Sequence, residues 1–67
     1  MKKKIWILFY VNNDYNQPEK AFEKLWWHQP SFDELRQYGF TLYDYNKMIK
    51  PNRWGEPEYW IECFEED

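Results

Sequence analysis

The residues able to do covalent or metal chemistry are few in this chain and stand far apart. Cys63 is the single cysteine and His28 the single histidine of 67 residues, so an intramolecular disulfide is impossible and a Cys/His zinc site lacks ligands. A nucleophilic Cys63 would need a thiolate-favouring environment and an oriented base such as His28. It falls instead in the apolar and acidic stretch "EYWIECF", which disfavours a thiolate and reads as a buried structural thiol. His28, at the end of an aromatic segment, reads as a satisfied or exposed side chain. Glu65, Glu66 and Asp67 offer carboxylates only at a terminus, where no acid/base geometry can be held. Gly39 and Gly55 are the only glycines, so no Gly-rich phosphate loop exists. The expectation is a protein without catalytic residues, bound metal or cofactor.

What the chain does have in excess is aromatic surface. Phe, Trp and Tyr account for 24% of the residues. Each aromatic side chain buries about 150–250 Å², more than one small core requires in total. A domain this short covers only about 60% of the surface its unfolded chain exposes, so its stability margin is thin. With disulfides and zinc excluded, a rich core or self-association must compensate. Aromatics left outside the core form an apolar patch, the usual mark of a partner site.

Charge is unevenly distributed around a net value of -3. Lys2, Lys3 and Lys4 open the chain, whereas Glu56, Glu58, Glu62, Glu65, Glu66 and Asp67 close it with no basic residue among them. An acidic C-terminal field opposes a general nucleic-acid binder, whose affinity rests on neutralised phosphates. It serves either to keep an aromatic-rich chain soluble or to meet a basic partner. The apolar run at residues 5–11 is too short for a secretory leader or a membrane span. A lone thiol without an export signal points to the cytoplasm.

These residues must be positioned by a small number of elements in one domain, residues 1–67. "IWILFYV", residues 5–11, reads as a central strand because both alternating faces are apolar: Ile5, Ile7, Phe9 and Val11 on one, Trp6, Leu8 and Tyr10 on the other. "NNDYNQP" reads as a turn. Residues 19–29 fit either a helix or a strand. The strand is preferred, because a helix there could leave a two-stranded sheet, marginal in water; it places Trp26 and Trp27 on opposite faces. Ser31 and Glu34 form a capping box that starts a short helix, with Phe32 and Leu35 on its buried stripe and Gly39 suited to a left-handed end. "TLYDYNKMIK" fits a second helix or an irregular strand; the helix is preferred, with Thr41 as its cap and Leu42, Tyr45, Met48 and Ile49 at helical spacing, and "PNRWGEP" reads as a turn. "EYWIECF", residues 58–64, is the last strand.

The expected fold class is α+β: a small antiparallel sheet of three or four strands with one or two short helices packed on one face. Its uncovered face is expected to include Trp6 and Tyr10. Two kinds of binding then compete. In the first, Trp6, Tyr10, Trp54 and Trp60 act as aromatic anchors, with Glu58, Glu62, Glu65 and Glu66 as an acidic rim, for a host protein, with no direct contact to nucleic acid or membrane. In the second, aromatics stack on a nucleotide or nucleobase whose phosphates meet Lys2, Lys3, Lys4, Lys47, Lys50 or Arg53, the last three beside Trp54. A third alternative makes every aromatic part of the core or of a homodimer interface.

The order "KKIWILFYV", then "LWWHQPSFDEL", then "EYWIECFEE" resembles small accessory proteins of bacteriophage and prophage genomes. That resemblance implies a phage-encoded anti-defence inhibitor, of the anti-CRISPR kind, that occludes a host defence protein such as a CRISPR-associated nuclease in the bacterial cytoplasm. It carries no residue roles with it.

Overall fold

A computed structural model describes residues 3–12 and 19–66. The turn expected at 12–18 falls almost wholly outside the described residues, as do Lys2 and Asp67. The elements run β1 (Lys3–Asn12), β2 (Glu19–Trp26), α1 (Phe32–Arg36), α2 (Leu42–Lys47), β3 (Ile49–Pro51) and β4 (Pro57–Glu66). They form a four-stranded antiparallel sheet in the order β2-β1-β4-β3, with two short helices, the expected α+β class. Residues 19–26 are strand, and β1 is central, as its two apolar faces require.

Both helices begin where their capping residues dictate. The Ser31 hydroxyl accepts from the Glu34 amide at 3.2 Å while the Ser31 amide donates to Glu34 Oε2 at 2.9 Å. Thr41 and Asp44 repeat the arrangement at 3.2 and 3.1 Å, so the second helix also carries a full capping box. Each box satisfies amides that the first turn leaves without intrahelical partners. Gly39, with φ +92°, turns the chain after α1, and a Cβ there would lie 2.8 Å from Lys50 Cε. The second helix is shorter than its apolar spacing suggests: Met48 adopts φ 59° and ends it, and Ile49 opens β3. Residues 49–51 are thus a strand where the preferred reading continued the helix, with the turn confined to the residues that follow.

The core lies between the helices and one face of the sheet. Leu8, Trp26, Leu35, Phe40 and Ile61 are its buried members, flanked by Trp6, Tyr38, Tyr45, Met48 and Tyr59. Tyr45 Oη donates to the Pro30 carbonyl at 3.0 Å, tying α2 to the exit from β2. Trp6 therefore sits on the helix-covered side, which corrects the expectation that it belongs to the uncovered face. The physical reason is register. Trp6 lies opposite Trp26, whose chain leads directly into α1, so that connection selects which apolar face of β1 is roofed. Among the described residues, no helix is long and apolar enough to cross a membrane.

Candidate functional site: the open face of the sheet

The face away from the helices is built from residues of all four strands. Side-chain alternation places Lys3, Ile5, Ile7, Phe9 and Val11 of β1 there, with Trp60, Glu62, Phe64 and Glu66 of β4 beside them. Ile49 of β3 lies opposite Trp60 and joins them. On β2 the sequence pattern misleads. Pairing runs Trp6 with Trp26, Ile7 with Leu25 and Leu8 with Lys24, then shifts so that Phe9 meets Phe22. The extra residue, Glu23, forms a bulge that carries Phe22 to the open face. Uniform alternation would have placed Phe22 with Trp26.

The result is an apolar surface with aromatic edges. Ile5, Ile7, Phe9, Leu25 and Trp60 are half-buried, whereas Phe22 is 64% and Phe64 44% exposed. At one end, Trp27, Ile5 and Phe64 line a cleft of about 380 Å³ together with Lys3, Glu65 and Glu66. The two adjacent tryptophans are thereby separated: Trp26 is 5% exposed in the core and Trp27 74% exposed at the cleft. Trp27 is a site residue that the sequence left undecided between its two faces.

Lys20 crosses the middle of this surface. Its Nζ lies 5.2 Å from the Phe9 ring centre, 4.9 Å from that of Trp60 and 3.6 Å from Glu62 Oε1. The stem covers aromatic surface while the ammonium remains in contact with water. On Trp60, the Nε1 donor is buried without an acceptor among the described residues, a condition that costs about 1–3 kcal/mol. A second cleft, about 370 Å³, adjoins Trp60 on its β3 side and is lined by Lys47, Met48, Ile49, Ile61 and Glu62.

The anticipated partner residues scatter. Trp60, Glu62 and Glu66 are on the open face, and Glu65 borders its terminal cleft. Tyr10 lies on the helix side, stacked edge-on against Tyr59 at 5.4 Å, and is 41% exposed. With Trp54, which is 71% exposed, it lines a depression of about 290 Å³ at the β3–β4 turn that also holds Glu56 and Glu58. There Asn52 Oδ1 accepts from the Trp54 and Glu56 amides at 2.9 and 3.0 Å, fixing the turn. Trp54 is thus a turn residue at the far end of the sheet from Trp27.

Charge that is separated in the sequence is brought together by the β1–β4 ladder. Lys3 stands opposite Glu66 and Lys4 opposite Glu65, a favourable cross-strand arrangement. Glu58 accepts from Lys50 Nζ at 2.7 Å. The acidic C-terminal field read from the sequence is therefore largely interleaved with lysines. The basic cluster beside Trp54 is likewise engaged: Lys50 holds Glu58, Lys47 lies 4.8 Å from the Tyr43 ring, and Arg53 lies 4.7 Å from that of Trp54. A phosphate at Trp54 would meet Glu56 and Glu58 in the same depression, which opposes the nucleotide alternative.

Of the groups considered for chemistry, His28 is paired with a carboxylate and Cys63 is not buried. His28 Nε2 is 3.5 Å from Glu34 Oε1, and the Glu34 carboxyl is held below its ordinary value first by the Ser31 amide, against the opposing effect of desolvation, with His28 and then Lys24 adding to the lowering. Tyr59 is pushed up by burial first and then by nearby Glu23 and Glu58. Cys63 is exposed, which corrects the reading of a buried thiol. It lies on the helix side of β4, two residues after Ile61 and opposite Trp6.

Neither a protein-family model, a curated protein nor a solved structure matches this chain.

Proposed function

We propose that this chain is a non-enzymatic binding protein that docks another protein on the open face of its sheet. The supporting observation is the pairing of one roofed apolar face with one unroofed: Ile5, Ile7, Phe9, Phe22, Leu25, Trp60 and Phe64 form a continuous surface without a described helix over it. Contiguous exposed apolar surface marks interaction sites, and Trp and Phe are suited to anchor them. The resemblance to phage accessory proteins extends the proposal to a host defence protein, such as a CRISPR-associated nuclease, occluded in the bacterial cytoplasm. The interleaving of Glu65 and Glu66 with lysines makes apolar anchoring the main contribution and the acidic rim a secondary one.

Site-resolved crosslinking tests the proposal. A photo-crosslinking phenylalanine analogue is placed at position 22, 64 or 43, the last being exposed on α2. The expected result is a discrete adduct with a second protein from positions 22 and 64, competed by unlabelled chain and absent from 43. Adducts from position 43 alone, or only with a second copy of the same chain, would overturn it. Charge reversal of Glu58, Glu62, Glu65 and Glu66 together should weaken the competed adduct without abolishing it.

A further inference from the structure

The middle of the open face is already occupied by a cation from its own edge strand. Lys20 Nζ lies over two rings, Phe9 and Trp60, and beside one carboxylate, Glu62. Those three side chains come from two adjacent strands and share one face, so a rigid sheet sets their spacing. Two aromatic faces and a carboxylate form a receptor for a positive charge. The resident lysine fills it incompletely. At 3.6 Å its contact with Glu62 is longer than a charge-assisted hydrogen bond, and the two side chains remain 41% and 39% exposed. Glu62 therefore keeps acceptor capacity, and it borders the open cleft on the β3 side of Trp60.

A guanidinium fits this arrangement better than an ammonium does. It is planar, stacks on aromatic faces, is more weakly hydrated and can present paired donors to one carboxylate. Resting on the docking role proposed above, we infer that the Phe9, Trp60 and Glu62 side chains form a recognition site for an arginine of the partner protein, with Lys20 holding the place until it is displaced. The surrounding Ile7, Phe22 and Ile49 require apolar residues on either side of that arginine. Lys20 then acts as an internal competitor: it shields the aromatic surface of the free protein, and its long stem can swing outward from the edge strand when the arginine arrives.

The test uses the full chain and two probes, the tripeptide amides acetyl-Val-Arg-Val and acetyl-Val-Gln-Val, with binding read from the Trp60 indole N–H signal in NMR titrations. In Lys20→Ala the arginine tripeptide should bind about five-fold tighter than to the unsubstituted chain, the size of one aromatic–cation contact with a screened carboxylate contact. Adding Glu62→Gln should remove the preference for arginine over glutamine. Lys20→Met, which keeps the stem, provides a second variant whose folding is checked by the same spectra. Equal binding of both tripeptides at Trp60 in Lys20→Ala would overturn the arginine assignment while leaving apolar docking intact. No shift at Trp60 with either probe would also overturn it. Arginine-selective binding combined with no crosslinked partner at positions 22 and 64 would support the site and remove the docking role.

Discussion

The two faces of one strand teach different lessons in this protein. On β1, Trp6, Leu8 and Tyr10 face the helices, whereas Ile5, Ile7, Phe9 and Val11 face away. Both rows are apolar, yet at mid-strand Leu8 is fully buried while its neighbours Ile7 and Phe9 are half-buried; at the strand's end the order reverses, with Val11 3% and Tyr10 41% exposed. Removal from water, not hydrophobicity, separates a core residue from a contact residue. The roofed face obtains its stability from Leu35, Phe40 and Tyr45 of the short helical segment. The open face retains surface whose burial is still available for association.

The largest effect that could break this comparison is a core deletion. Leu8→Ala should lower stability by about 2–5 kcal/mol, since the site is enclosed and a cavity would remain. Ile7→Ala should cost clearly less, and equal urea midpoints for the two would contradict the division of faces. Next come the caps that hold the roof in place. Ser31→Ala and Thr41→Ala should each cost about 0.5–2 kcal/mol, read as lower melting temperatures with loss of helical signal. Indifference to both would mean that tertiary contacts alone hold the helices.

A smaller effect is expected on the other side. Phe22→Ser should change stability by no more than about 0.5 kcal/mol because the ring is largely exposed, while abolishing the crosslink from position 64. Marked destabilisation would show Phe22 to be core. The last effect emerges only in acid. The carboxyl of Glu34 is lowered from 4.5 by the Ser31 amide and His28, so its contribution is complete above that ordinary value and is lost as pH falls through the lower folded value. Glu34→Gln should flatten the acid limb of a stability-against-pH curve; an unchanged limb would remove Glu34 from the account. Since the group is exposed, the change should be small.

Much of the architecture was legible because its signals are local. The Ser31/Glu34 box needs only a spacing of three residues, and the Asn, Gly and Pro content of residues 51–57 marks the tight turn. The strand at residues 19–26 was legible only through a global consideration, the need for a third strand. Three features of the site were not legible. The Glu23 bulge that turns Phe22 outward has no composition of its own, because an extra residue is defined by its partner strand. The lysines opposite Glu65 and Glu66 are nearly a chain length away. The three residues of β3 were hidden within an apolar spacing that also suits a helix, and only the left-handed turn at Met48 divides it.

By itself, then, the sequence determined that β1 is central, that two short helices begin at Ser31 and Thr41, and that catalytic chemistry has few residues to draw on. It also required aromatic surface beyond the core. Only the tertiary structure decided which face of β1 stays open, because both are apolar and alternation is symmetric between them. The choice is made where β2 hands the chain to α1: Trp26 goes beneath the helices, Trp27 goes to the open cleft, and every strand paired in register with them follows.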